Sequence, residues 1–146
     1  MKDIALRFPG RPHAQQRHRP GKTKNYDPDS LQKVAVRNIA RSQLPNGFKV
    51  FHDQPLFISL RLVIERPGYH YHKKTGELKM SAPILCYKIP DYDNYAKFYG
   101  DALEKVVWQN DGILSAGLAV KMYGETPETI LVIMSDLDRI LKTLGL

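Results

Sequence analysis

Phe57-Ile58-Ser59-Leu60-Arg61-Leu62-Val63-Ile64-Glu65 is the clearest period of two in this chain of 146 residues. Its even positions are all apolar, while the odd ones include Ser59, Arg61 and Glu65. Side chains alternate across a strand, so the stretch predicts a β-strand with one face in a core. Upstream, Ile4, Leu6 and Phe8 alternate with Ala5 and Arg7 until Pro9-Gly10 ends a short first strand. Downstream, Pro67-Gly68 turns the chain into a basic surface loop carrying His70 and His72, and a further strand is expected over residues 84–89. Leu118, Val120 and Met122 alternate again. After the Thr126-Pro127 turn, Thr129 to Met134 is apolar on both faces and so predicts a central strand.

Three helices are expected between and after these strands. Asp27 followed by Pro28 reads as an N-cap with proline at the first helical position, and Leu31, Val34, Ala35 and Ile39 mark one face with Arg37 and Arg41 opposite. Leu44-Pro45-Asn46-Gly47 stops that helix. From Tyr92 to Trp108, apolar residues recur at spacings of three and four, which predicts a helix packed on a core. Leu137, Ile140, Leu141 and Leu144 have helical spacing too, as a terminal helix that covers the sheet or makes a subunit contact. The expected fold is α+β: one domain over residues 1–146, with a small mixed sheet of about four to five strands, two main packing helices and a C-terminal helical extension over 135–146.

The formal net charge of +7 points to a polyanionic partner, and its distribution is more telling. Residues 1–49 hold eleven Lys and Arg against three Asp, whereas the remainder holds eleven basic and twelve acidic residues. Much of the excess lies in Arg11 to Lys24, a stretch with no periodicity, which reads as a basic loop of the kind that can become ordered on binding. The single cysteine, Cys86, excludes an intramolecular disulfide and suits a reducing cytoplasm. The longest apolar run, Ile130 to Met134, is far too short to span a membrane.

Against this basic background, Pro90-Asp91-Tyr92-Asp93-Asn94 is followed by Lys97, Asp101 and Asp111. Asp93, Lys97 and Asp101 stand at i, i+4 and i+8, on one helix face. Caps and ion pairs alone could account for an isolated Asp at a helix start. Asp91 and Asp93 together exceed what one cap needs, and two carboxylates about 5 Å apart repel by about 3 kcal/mol, which a divalent cation would relieve. No Cys or His flanks the cluster, which disfavours zinc, and Ala96 and Ala102 stand where an EF-hand needs Gly and Glu. Hard oxygen donors in small number suit Mg2+, with Mn2+ as a substitute, and phosphodiester cleavage as the chemistry.

The block Pro90-Asp91-Tyr92-Asp93-Asn94-Tyr95-Ala96-Lys97, then Asp101-Ala102-Leu103 and Asp111, resembles the signature of the RusA family of Holliday junction resolvases, P-D-x-D-N-x-x-K, D-A-L and an acidic pair at the helix end. The opening strand, the Pro- and Arg-rich loop and Tyr26-Asp27-Pro28 resemble that family more loosely, and residues 135–146 have no counterpart in its pattern. The resemblance implies metal-binding aspartates at Asp91, Asp93 and Asp111, an essential lysine at Lys97 and a ligand-orienting role for Asn94. It leaves Asp101 as a helix ion pair or subunit contact. The chain departs from the pattern with Asn110 in place of the first acid of the pair, and with Tyr92 and Tyr95 where Leu is usual.

What the resemblance further implies is an Mg2+-dependent endonuclease that resolves four-way DNA junctions by paired nicks as a homodimer in recombination and repair. Arg11, Arg17, Arg19, Lys22 and Lys24 are the candidate contacts to the DNA arms. A broader branched-DNA nuclease would use the same residues. A non-catalytic basic binder would need none of the carboxylates, and an enzyme for a small phosphate compound lacks a Gly-rich phosphate loop in its favour.

Overall fold

A computed structural model describes residues 3–24 and 26–146; Met1, Lys2 and Asn25 lie outside the described residues, and with them Lys2 of the N-terminal basic group. The elements are β1 (Ile4–Pro9), α1 (Ser30–Gln43), β2 (Leu56–Glu65), α2 (Tyr92–Leu103), β3 (Leu114–Gly124), β4 (Glu128–Met134) and α3 (Leu137–Leu144), with short 3-10 turns at Gly68–His70 and Asp111–Ile113. The four strands form one mixed sheet in the order β1-β4-β2-β3. β2 runs antiparallel to β4 and parallel to β3, and β4 runs antiparallel to β1. The fold is therefore the expected α+β domain, and β4 is internal, as its two apolar faces require.

The alternation in β2 sends Ile58, Leu60 and Leu62 into the main core, where they meet Leu6 and Phe8 of β1 and Leu131 and Ile133 of β4. α1 and α2 close this face with Val36, Ala40, Phe98, Tyr99, Ala102 and Leu103. Phe57 and Ile130 are buried but outside that core, as is Ile140 of α3, the helix that packs against β2.

Several elements differ from their sequence-based expectation. Residues 84–89 form no strand; they touch β3 through a single bridge, Leu85 to Met122. α2 ends at Leu103, five residues before Trp108. Glu104 is extended, Lys105 has φ +65°, and Val106, Val107 and Trp108 return to the core from a turn. Their helical spacing continues because a tight turn presents them to the same core. α1 begins at Ser30, and Asp27 instead caps the preceding turn by accepting from the Asp29 N–H at 2.9 Å. Its buried residues are Lys33, Val36 and Ala40, while Leu31 and Val34 face solvent at 79% and 48% exposure. Arg37 is not on a solvent side either, since its Nε donates to the Ala102 carbonyl at 2.8 Å and occupies an acceptor left open at the end of α2. His70, expected on the surface, is buried edge-on between Tyr69 and Tyr123, and burial is the main cause lowering its pKa, with Arg66 and Lys79 adding to it.

Candidate active site

α2 places the central block. Its inner face is Tyr95, Phe98, Tyr99, Ala102 and Leu103, all buried, so Asp91, Asp93 and Lys97 face outward on a helix that cannot rotate. Trp108, wholly buried, donates from Nε1 to the Gly100 carbonyl at 3.2 Å and braces the same helix from its far end.

Asp91 occupies the N-cap position with extended backbone (φ −68°, ψ 152°), and its side chain makes no capping hydrogen bond. The helix start is closed by the main chain instead, with Asn94 N–H donating to the Asp91 carbonyl at 3.2 Å. The Asp91 carboxylate is thus not used as a cap. Asp93, in the first turn, lies 3.6 Å from the Lys97 ammonium in an exposed pair of modest strength. Both carboxylates sit where the helix dipole favours negative charge.

Asp101 makes an ion pair between the two main helices. It lies 3.5 Å from the buried Lys33 ammonium of α1, which also donates to Asp27 at 2.7 Å. That hydrogen bond is the leading reason the Asp27 carboxyl is held below its ordinary pKa of 3.8.

The basic loop is fastened to this helix. Gln15 N–H donates to the Asn94 carbonyl at 2.9 Å, and the His13 ring lies 4.5 Å from that of Phe98. Asp29, fully buried, accepts from Gln16 N–H at 2.6 Å and pairs with His13 Nε2 at 2.8 Å. Arg19 and Tyr26 exchange backbone hydrogen bonds at 3.1 and 3.0 Å, closing the tip of the loop. His13, Gln15, Gln16 and Arg19 of the loop therefore have defined partners within the chain itself. Arg11 shares a hollow with Pro90 and Tyr95, beside Asp91, whereas Arg17, Arg19, Lys22 and Lys24 are exposed along the loop. Sequence reasoning missed His13 and Asp29. The only signal was an aspartate two residues past one already assigned as a cap.

Asp111 opens the 3-10 turn before β3 and is exposed, as is Asn110. The structure brings Asp91, Asp93, Asn94 and Lys97 together on the first turns of α2. It does not close Asp111 with them into a cage, for among the described residues no group of three or more His, Cys, Asp and Glu side chains could hold a metal ion. The donors still fit Mg2+, which is commonly held by one or two carboxylates and completed by water and substrate phosphate oxygens.

Residues 9–134 match the family model described as Endodeoxyribonuclease RusA. The chain belongs to the RusA endodeoxyribonuclease family. No curated protein matches it. RusA-family membership makes it a nuclease, and the matched span covers the last residue of β1, the basic loop, α1, α2 and strands β2 to β4. It stops at the end of β4, so α3 lies outside the family domain, in keeping with a motif pattern that has no counterpart for residues 135–146. Among the described residues, no helix is long and apolar enough to cross a membrane.

Proposed function

We propose that this RusA-family chain is an Mg2+-dependent, structure-selective endodeoxyribonuclease that resolves four-way junctions by paired symmetric nicks as a homodimer, serving DNA recombination and repair. The observation that supports it best is the uncommitted Asp91 carboxylate beside Asp93 and Lys97, on the same helix turn to which the basic loop is tied through Gln15 and Asn94. Phosphate contacts from the loop and acidic groups at the helix start would then meet one DNA strand.

Asp91, Asp93 and Asp111 would hold the ion, with Asn94 orienting them. When bound, Mg2+ supplies Lewis-acid polarisation of a phosphate oxygen and a more acidic water. The residues of the chain do the rest. Lys97 neutralises charge that builds on the phosphate oxygens during attack, and its ion pair with Asp93 keeps the ammonium at the helix surface. Arg11, Arg17, Arg19, Lys22 and Lys24 hold the arms through their phosphates. Two symmetric cuts require two sites facing one junction, which is the reason for a dimer.

The test compares wild type with Asp93→Asn on a labelled four-way junction and on linear duplex, with Mg2+, Mn2+ or EDTA. Metal-dependent symmetric nicks near the branch point, lost in the variant while junction binding persists, are expected. Equal cleavage of linear duplex would overturn junction selectivity, and cutting in EDTA would overturn the metal assignment.

A further inference from the structure

The segment before Asp91 combines a rigid backbone with apolar side chains turned to solvent. Cys86 N–H donates to the Lys121 carbonyl and Tyr123 N–H to the Ile84 carbonyl, each at 2.9 Å. The Lys121 ammonium donates to the carbonyls of Lys88 and Pro90, the latter at 2.7 Å. So held, the segment leaves Tyr87 76% and Ile89 87% exposed. Between it and the basic loop lies a cleft of about 220 Å³. Arg11, Glu65, Tyr69, Lys88, Ile89 and Pro90 form its walls, and it reaches the buried rings of Tyr95 and Tyr123. Pro90 in its wall directly precedes Asp91 in the chain.

We infer that this cleft receives one nucleobase unstacked at the branch point of the DNA, with Tyr69 and Ile89 against its face and Arg11 and Lys88 on the flanking phosphates. The inference rests on the proposed function and adds a base-binding subsite to it. Three observations favour a base over a second copy of the chain. Residues 66–90 carry five Lys and Arg against one Glu, a charge complementary to DNA. Lysine is depleted from protein interfaces, whereas aromatic side chains interleaved with cations suit a single-stranded base and its backbone. Lys88 lines the cleft along with Tyr69, so a cation and an aromatic ring are both presented to it, although the Lys88 ammonium also reaches the Tyr87 ring outside the cleft, 4.6 Å from its centroid. Glu65 gives the cleft an acceptor for an amino or imino N–H on the base edge.

The experiment measures binding of the full chain, in EDTA, to four-way junctions carrying a single abasic residue at each branch-flanking position in turn. Wild type is expected to bind the intact junction about fivefold to a hundredfold more tightly than one of the abasic junctions, the range that base–aromatic stacking spans. In Tyr69→Ala and in Ile89→Ala, both exposed positions, that ratio should fall toward one while affinity for linear duplex is unchanged; Tyr69→Phe should restore it. Ratios that match wild type in both alanine variants, or no abasic position that matters, would overturn the subsite. So would a shift from dimer to monomer in Ile89→Ala by light scattering, which would make the surface an interface between copies. Wild type that fails to prefer the junction over duplex would overturn the proposed function itself, and is seen before any variant is made.

Discussion

Lys33 shows how much a single side chain can reassign. It is only 6% exposed, yet Asp27 reaches it from a turn and Asp101 from α2. The Asp27 carboxyl, lowered below 3.8, stabilises the fold fully above that value and loses its contribution as pH falls through the lowered folded value. Asp27→Asn should therefore lower the melting temperature at neutral pH, and the gap from wild type should close well below pH 3.8, which thermal denaturation across that range checks. Trp108→Phe should cost about 1–3 kcal/mol in urea unfolding, since it strands the buried Gly100 carbonyl. Asp91, Asp93 and Lys97 were legible because their arrangement is set by one helix. The His13–Asp29 pair was not, because sixteen residues separate its members and only the folded chain brings them together.

Elements were legible where periodicity was strong and unshared. β2 followed from alternation and β4 from a short run apolar on both faces, whereas α1 carries apolar residues around most of its circumference, and which stripe turns inward depends on the sheet it meets. Leu31→Ser should change stability by less than about 0.5 kcal/mol, while Val36→Ala should cost about 1.5–3 kcal/mol; chemical denaturation of the two variants separates the faces. α3 is more local. Asp136 accepts from Arg139 N–H at 3.1 Å, and Gly145 ends the helix at φ +74°. Asp136→Ala should cost about 1 kcal/mol if the terminal helix is cooperative with the sheet, measured in the same way.

At the scale of the molecule, charge is arranged around one acidic helix start. Arg11 of the basic loop and Lys88 of the arm before Asp91 line one cleft together with Pro90. Neutralising Arg17, Arg19, Lys22 and Lys24 together should weaken binding to all DNA. The slope of log affinity against log salt should flatten by about 0.9 for each duplex phosphate the loop no longer neutralises, as fluorescence anisotropy titrations would report. Sequence by itself determined the α+β class, the central strand, the acid-rich helix start and the excess of positive charge, because each resides in short-range periodicity, composition or a contiguous motif. Tertiary structure alone decided which face of α1 is buried, where α2 stops, that Asp101 belongs to Lys33, and that Arg11 and Ile89 share a cleft next to Asp91. Those outcomes depend on packing between residues far apart in the chain, whose geometry no local pattern encodes.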